Sequence, residues 1–278
     1  MSGDRDAPSA ASSFGTAAGA YAEHRPDYAA AAVRWTLRAA PGPRVLDLGA
    51  GTGKLTAALL DPAVVPGAEV VAVEPDPAML AELRRGRPGV RALAGSAESI
   101  PLPDGSVDAV LAGNALHWFD LAVAGAEIAR VLAPGGVLAG LWNLLDDDVA
   151  WVAGLADAGG SAAVGPRDTP TAWRRATADL LPPAGEGWSA RAERAEFPHG
   201  QRRTADSLVA TLATRAGMLV MPEAERAATT ARIRAYLAGR TETAQGEFTL
   251  PMRTGVLRVR RTWTDTAGPR DRTVAAAH

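Results

Sequence analysis

One nine-residue stretch sets the architecture of this chain: Val45-Leu46-Asp47-Leu48-Gly49-Ala50-Gly51-Thr52-Gly53. Its apolar first half is typical of a buried strand, and its glycines are typical of a loop that opens a helix. A second apolar run, Val70-Val71-Ala72-Val73, ends at Glu74. A glycine loop, followed about 20 residues later by an acid at the end of the next strand, indicates a site for a nucleoside with a free ribose diol. We therefore expect Glu74 to accept hydrogen bonds from both ribose hydroxyls.

The spacing of the glycines excludes two common nucleotide-binding loops. The phosphate-binding pattern G-x-x-x-x-G-K-[ST] requires glycine where this chain has Leu48, and serine or threonine where it has Leu55. The dinucleotide pattern G-x-G-x-x-G requires its third glycine where this chain has Lys54. What is left is D-x-G-x-G-x-G, a loop without side chains at the positions where a ligand lies directly against the backbone.

Strands and helices alternate around this loop. Apolar periodicity predicts strands at 44–48, 69–73, 90–94, 106–112 and 137–142, helices at 14–40, 52–60, 77–85 and 122–131, and a tight turn at 134–136. Repeated strand–helix units predict a parallel sheet covered by helices on both faces. Beyond residue 143 the pattern predicts helices at 147–157, 171–181, 204–216 and 222–238, a strand at 190–197, and two strand pieces or one bent strand at 248–263. The pair Gly159-Gly160 is predicted to separate the first two of these helices.

Composition excludes several classes of protein. The 278 residues include no cysteine, which excludes disulfides and thiolate metal sites, and the four histidines are scattered, so we expect no metal. No apolar run approaches the roughly 20 residues of a membrane helix. The polar N-terminus lacks the pattern of a signal peptide. We therefore expect no membrane partner, a cytoplasmic location, a disordered segment at 1–13 and a flexible tail at 264–278.

The loop Asp47–Gly53 resembles motif I of the class I S-adenosylmethionine-dependent methyltransferases. Three later segments resemble other motifs of that family in the right order: 95–104 after the third strand, 114–120 after the fourth, and 131–138 before the fifth. Upstream, Phe14-Gly15, Tyr21 and Arg25-Pro26-Asp27-Tyr28 resemble an N-terminal element of a small-molecule subgroup similar to trans-aconitate methyltransferase. The resemblance covers 14–143 and, more loosely, 190–263.

The resemblance implies an α/β fold with a Rossmann-like, seven-stranded methyltransferase sheet and a helical cap. It implies one domain at 14–263, with its core at 41–146 and its cap and last two strands at 147–263. S-adenosyl-L-methionine is the implied cofactor. The residues predicted to bind it are Tyr21, Arg25, Asp47, Gly49, Ala50, Gly51, Glu74, Pro75, Met79, Ala97, Glu98, Asn114 and Ala115. Those predicted to bind the substrate are Tyr28, Trp118, Trp142 and His199.

Three of these side chains have more than one interpretation. His117 follows the fourth strand, where methyl transfer is expected, and is either a general base or a structural histidine. Met79 either covers the adenine or packs in the core. Asp47 is expected to organise the glycine loop, through hydrogen bonds to nearby amides or to water beside the cofactor, rather than to contact the cofactor alone.

The implied reaction is methyl transfer to an oxygen, nitrogen or sulfur nucleophile of a small molecule by direct displacement. Two alternatives stay open. One is a nucleic acid methyltransferase, because basic groups dominate residues 190–278 and include Arg253, Arg258, Arg260 and Arg261. The DNA amino-methyltransferases have the segment N/D-P-P-Y/F after the fourth strand. This chain has Asn114-Ala115-Leu116-His117 there, which argues against this alternative. The other alternative is a protein that binds the cofactor on the same fold without methyl transfer.

Overall fold

The computed structural model describes residues 25–182, 187–189 and 191–262. Within them, one sheet is formed by β1 (Arg44–Leu48), β2 (Glu69–Glu74), β3 (Arg91–Ala94), β4 (Val107–Gly113), β5 (Leu132–Leu145), β6 (Glu193–Arg203) and β7 (Phe248–Arg260). The strand order is β3-β2-β1-β4-β5-β7-β6. Strands β1 to β5 pair in parallel, whereas β7 is antiparallel to both of its neighbours. The predicted seven-stranded α/β fold is confirmed.

Helices cover both faces of this sheet. The described helices are α1 (Ala30–Leu37), α2 (Lys54–Leu60), α3 (Pro77–Gly86), α4 (Leu121–Val131), α5 (Ala150–Ala163), α6 (Pro170–Ala176), α7 (Ala205–Ala213), α8 (Ala216–Leu219) and α9 (Glu223–Ala238). Side chains of β1 alternate between the faces: Leu46 and Leu48 pack in the same cluster as α4 and α6, whereas Val45 packs with α1 and α2. Burial on both faces explains why the strands read as unbroken apolar runs.

The boundaries of β1 to β4 and of α2 to α4 lie within two residues of those predicted. Helix α2 begins at Lys54 because Gly53, with φ 87°, has a left-handed backbone. Helix α3 begins at Pro77, as predicted, and Asp76 caps it by accepting hydrogen bonds from the N–H groups of Ala78 and Met79.

The tight turn predicted at 134–136 is a bulge inside β5. Leu132 pairs with Val107 and Val137 with Ala109, so the residues between them on β5 loop out of the ladder. Gly135, with φ 74°, allows this bulge. Strand β5 also ends later than predicted, at Leu145, because β7 pairs along its whole second half.

Several predictions beyond β5 were wrong in their boundaries. Helix α5 continues through Gly159-Gly160 with a kink at Gly160, where φ is 64°, instead of ending there. Helix α6 ends at Ala176, and the helix predicted at 204–216 is divided into α7 and α8. Strand β6 extends to Arg203, and β7 is one continuous strand. Pro251 has no N–H group to donate to a neighbouring strand. It fits within β7 because the pairing between β5 and β7 ends at Met252.

The helices α5, α7, α8 and α9 form a layer that we call the cap. They share an apolar cluster with Leu250 and Met252 of β7. Contact between α5 and α8 is close, since a Cβ atom on Gly217 would lie 2.7 Å from the Cα atom of Ala162. None of the described helices is long and apolar enough to cross a membrane. The segments predicted to be disordered or flexible, 1–13 and 264–278, lie outside the described residues, and the cytoplasmic location stays a prediction.

Arg258 fastens α1 to the sheet. Its guanidinium donates to the carbonyl oxygen atoms of Trp35 (2.6 Å) and Thr36 (3.2 Å) at the end of α1. It also pairs with Glu193 of β6 (2.5 Å) and lies 3.7 Å from the centroid of the Trp35 ring. The side chain is buried, so removing it leaves two carbonyl groups and a carboxylate without this partner.

We expect Arg258→Met to lower the free energy of unfolding by about 3 kcal/mol, because a partly buried charge and two carbonyl groups lose their hydrogen bonds. Urea denaturation measures this. The matched control is Arg260→Met on the same strand, where the side chain is exposed, and we expect a change of less than about 0.5 kcal/mol there. Equal losses in the two variants would contradict this account of Arg258.

Candidate functional site

A cavity of about 510 Å³ lies at the carboxyl edge of the sheet, where β1 and β4 are neighbours. The strand order reverses direction at this point, so the connections after β1 and β4 leave towards opposite sides and open a crevice between them. The cavity is lined by the loop after β1, the end of β2, the loop after β4 and two segments of the cap. Each of these elements contributes different functional groups to the wall of the cavity.

The glycine loop forms one wall of the cavity. Gly49 and Gly51 have φ values of 67° and 56°, which favour glycine. A Cβ atom on Gly49 would lie 2.8 Å from the Cβ atom of Ala115, so glycine lets this loop pack against the loop after β4. No atom lies within 4 Å of a Cβ atom built on Gly51, which leaves its backbone open to the cavity.

Glu74 ends β2 at the wall of the cavity with its side chain buried. Its Oε2 atom accepts a hydrogen bond from the Gly51 N–H group (2.8 Å), and Oε1 accepts one from the Asp76 N–H group (2.9 Å). Burial raises the pKa of Glu74, while these two hydrogen bonds oppose the rise. The carboxylate is therefore held in one orientation, and each oxygen keeps a lone pair for a further donor.

Asp47, the last residue but one of β1, is fully buried beneath the loop. Its Oδ2 atom accepts a hydrogen bond from the Thr56 hydroxyl (2.5 Å), not from the loop amides that we expected. Among the described residues, none donates to Oδ1. The pKa of Asp47 is raised to about 7. Burial is the main cause, the hydrogen bond from Thr56 opposes the rise, and the charge of Glu74 adds to it.

The loop after β4 begins at Asn114, a non-glycine residue with a positive φ of 52°. This conformation turns the chain along the cavity wall, and the Asn114 N–H group donates to the Leu141 oxygen (2.7 Å). The Asn114 side-chain amide donates to the Tyr28 hydroxyl (3.1 Å). A Cβ atom on Gly113 would lie 2.6 Å from that hydroxyl, so Tyr28 lies directly over the Gly113 backbone.

His117 lies in a short 3-10 turn, Leu116–Trp118, and lines the cavity. Its Nδ1 atom accepts a hydrogen bond from the Trp142 indole N–H group (3.2 Å). Burial, followed by the nearby charges of Arg167 and Arg25, lowers the pKa of His117 to about 3. The ring is therefore neutral at physiological pH, and with Nδ1 accepting, the proton lies on Nε2.

The cap contributes lining residues that the sequence analysis missed. They are Ser161, Ala162, Gly165, Pro166, Arg167 and Asp168 around the α5–α6 connection, and Arg215, Ala216 and Gly217 between α7 and α8. Asp168 and Arg215 form an ion pair (2.5 Å) that joins the two segments. The only local signal was the Gly-Pro pair before Arg167, which predicts a turn but gives no indication of where the turn lies.

The cavity brings together most of the residues predicted from the sequence. Those that line it are Arg25, Asp47, Gly49, Ala50, Gly51, Glu74, Pro75, Met79, Ala97, Glu98, Asn114 and Ala115 from the cofactor set, His117, and Tyr28, Trp118 and Trp142 from the substrate set. Tyr21 lies outside the described residues. His199 is not among the lining residues: it lies on β6 opposite Met252, and its Nε2 atom is 3.3 Å from the Thr254 hydroxyl.

The fold and the cavity define a protein that binds a nucleoside cofactor on an α/β sheet, with an acid for a ribose diol. A methyltransferase-domain family model matches residues 46–140. An uncharacterized methyltransferase-like protein of Schizosaccharomyces pombe is 37% identical over 182 residues, which cover 66% of this chain and 68% of that protein. The chain belongs to the class I S-adenosylmethionine-dependent methyltransferase family.

Two further comparisons agree with this assignment. An uncharacterized methyltransferase of Mycobacterium tuberculosis is 53% identical over 145 residues, which cover 52% of this chain but only 58% of that protein. The chain thus spans a little over half the length of this relative. The structure of a putative type II methyltransferase from Anaeromyxobacter dehalogenans is 25% identical, with a TM-score of 0.60 over 86% of this chain and 97% of that one.

The residues of the cavity fit S-adenosylmethionine, the cofactor of this family. Glu74 offers two anchored oxygen atoms to a ribose diol, and Gly51 leaves open space where a side chain would obstruct the ligand. Asp47 lines the same cavity and has a carboxylate oxygen without a partner among the described residues.

We expect Glu74→Ala to weaken the binding of S-adenosylmethionine by about tenfold or more, because two hydrogen bonds of about 1 kcal/mol each are lost. Isothermal titration calorimetry measures the affinity, and circular dichroism checks the fold. The control is Glu69→Ala at the exposed start of the same strand, which should leave the affinity unchanged. An unchanged affinity in Glu74→Ala would exclude a ribose-binding role.

Asp47 should make stability depend on pH. Its pKa is about 7 in the folded protein against 3.8 for the free side chain, so between these values only the folded state holds the proton. The stability that Asp47 contributes is therefore complete below about pH 4 and is lost as pH rises to about 7, at up to about 1.4 kcal/mol per pH unit.

The variant Asp47→Asn removes this titration and keeps an acceptor for Thr56. We expect the unfolding free energy of the wild type to fall relative to that of the variant between about pH 5 and pH 7. Urea denaturation of both proteins at each pH measures the difference. A difference that is the same at the two pH values would show that the Asp47 pKa is not raised.

Proposed function

We propose that this chain transfers the methyl group of S-adenosylmethionine to an oxygen, nitrogen or sulfur atom of a small molecule by direct displacement. The position of the cap at the cavity carries this proposal. The segments Gly165–Asp168 and Arg215–Gly217 of the cap face the same space as the glycine loop and the loop after β4. An acceptor that shares this space with the cofactor has to be small. The resemblance of Arg25–Tyr28 to the small-molecule subgroup also supports it.

The contacts of the C-terminal arginines favour this proposal over a nucleic acid methyltransferase. Arg253 pairs with Asp146 (3.0 Å), Asp148 (2.5 Å) and Glu196 (3.4 Å). Arg258 is buried against α1. Neither side chain is therefore available to form the row of phosphate contacts that a duplex requires.

The protein's part in the reaction is to hold and align its ligands. When bound, S-adenosylmethionine supplies an electrophilic methyl group on a sulfonium leaving group. Glu74 and the glycine loop would hold the nucleoside, and Asn114 and Tyr28, which line the same cavity, would form the wall beside the methyl group. The cap excludes water from the nucleophile. Alignment and dehydration of this kind account for much of the rate enhancement in two-substrate reactions.

The hydrogen bond from Trp142 argues against His117 as the general base. The lone pair of Nδ1 is already engaged, and the other ring nitrogen carries a proton. Burial and the two arginines also make protonation of the ring unfavourable. We infer that His117 donates a hydrogen bond through Nε2 and that the acceptor atom is nucleophilic without deprotonation by the protein.

We expect His117→Ala to keep more than about a tenth of wild-type turnover, because a general base contributes about 100-fold or more and a neutral donor contributes less. The substitution His117→Gln, which keeps an N–H donor, should retain more activity than His117→Ala. Turnover is measured with saturating cofactor. A loss of about a thousandfold in both variants, with normal cofactor affinity, would make His117 the base.

The proposed reaction is tested with S-adenosylmethionine that carries a deuterated methyl group. The protein is incubated with this cofactor and, in separate reactions, with a small-molecule extract, DNA and RNA. Mass spectrometry should detect the label in the small-molecule fraction, and Glu74→Ala should reduce it. Label in DNA or RNA alone would support the nucleic acid alternative. Cofactor binding without transfer to any fraction would identify a binding protein.

A further inference from the structure

The cap places one guanidinium in the cavity whose charge no described residue neutralises directly. Arg167 lines the cavity and is half-buried. Among residues 25–182, 187–189 and 191–262, none forms an ion pair or a side-chain hydrogen bond with it. Burial lowers its pKa, and the neighbouring Asp168 opposes this only through its charge. A half-buried cation without a bonded protein partner keeps its N–H donors open to an anionic ligand.

Asp168, the nearest acid in sequence, is occupied by other partners. Its Oδ1 atom pairs with Arg215 (2.5 Å), and its Oδ2 atom accepts the Gly165 N–H group (2.8 Å). Both oxygen atoms of Asp168 therefore have partners other than Arg167. The Asp168–Arg215 pair also cancels the charge of Arg215 within the cavity, so Arg167 adds a positive charge on this side of the cap.

The backbone holds Arg167 at the cavity. The Asp168 N–H group donates to the Gly165 oxygen (3.1 Å) and closes a turn around Arg167. The Asp168 carbonyl oxygen accepts a hydrogen bond from the Leu145 N–H group (2.7 Å) at the end of β5. The turn is therefore anchored to the sheet, and the cost of ordering Arg167 for a ligand is partly met in the folded protein.

Arg167 lines the cavity together with His117, in the loop after β4. Its charge is near enough to His117 to lower the pKa of that ring. The acids Asp47 and Glu74 line the cavity from β1 and β2. His117 is neutral and adds no competing charge beside Arg167. A planar guanidinium in such a position binds oxyanions with two parallel hydrogen bonds.

We propose that Arg167 forms an anion-binding subsite beneath the cap, which takes a carboxylate or phosphate group of the acceptor. This inference rests on the proposed function and adds the chemical class of the substrate. The anionic group is bound away from the nucleophilic atom, so it orients the acceptor and is not itself required to receive the methyl group.

The test measures anion binding to the protein loaded with S-adenosylhomocysteine. Succinate and inorganic phosphate, titrated at millimolar concentrations, represent the two kinds of oxyanion, and succinamide is the neutral analogue of succinate. We expect at least one of the anions to bind the wild type, with succinamide binding at least about tenfold more weakly than succinate if succinate is the ligand.

The variant Arg167→Met should weaken binding of the anion by about tenfold or more and leave the affinity for S-adenosylhomocysteine within about twofold. The control Arg175→Met removes an exposed arginine of α6 and should change neither affinity. Succinate binding alone indicates a carboxylate group in the acceptor, and phosphate binding alone a phosphate group.

Three results would overturn the subsite: no binding of either anion to the wild type, equal anion affinities in the wild type and Arg167→Met, or a loss of S-adenosylhomocysteine affinity in Arg167→Met with anion binding unchanged. The last result would show that Arg167 binds the cofactor instead of the acceptor. Failure of the proposed function looks different, because anion binding through Arg167 would then persist while no labelled methyl group reaches any small molecule.

Discussion

The site depends on one buried carboxylate. Glu74 joins the end of β2 to the glycine loop after β1 and to the turn that begins α3, through hydrogen bonds from Gly51 and Asp76. Burial alone would favour the neutral acid, and the two N–H groups counteract that effect. The same contacts that oppose the rise in the Glu74 pKa also fix the three backbone segments around the carboxyl group. Binding of a diol therefore requires little rearrangement of the protein.

The two sides of the cavity differ in charge. Asp47 and Glu74 lie by β1 and β2, whereas Arg25 and Arg167 lie near His117 and the cap. Burial, followed by the charges of these two arginines, lowers the pKa of His117 and keeps its ring neutral. The proposed subsite would place an anionic group of the acceptor beside Arg167, where the charges are of opposite sign.

Local motifs account for the parts of the site that the sequence predicts well. The glycine loop and Asn114 follow directly after strands, and Glu74 is the last residue of one. The carboxyl ends of parallel strands lie at one edge of the sheet. Their proximity therefore follows from the strand pattern. The role of His117 does not, because it is set by Trp142, which lies on another strand. The same holds for His199, whose place on β6 depends on how far that strand pairs with β7.

A helical cap was predicted, but the cap residues that line the cavity could not be, because they come from two connections that are distant in sequence. Close contact of Gly217 with Ala162, and the Asp168–Arg215 ion pair, bring them together. No periodicity of the sequence encodes such a contact. The family match ends at residue 140, before either segment begins. The proposed anion subsite therefore lies outside the matched part of the chain, whereas Glu74 and the glycine loop lie within it. In the proposed reaction, the cap could change its charge and shape while Glu74 and the glycine loop keep the same cofactor.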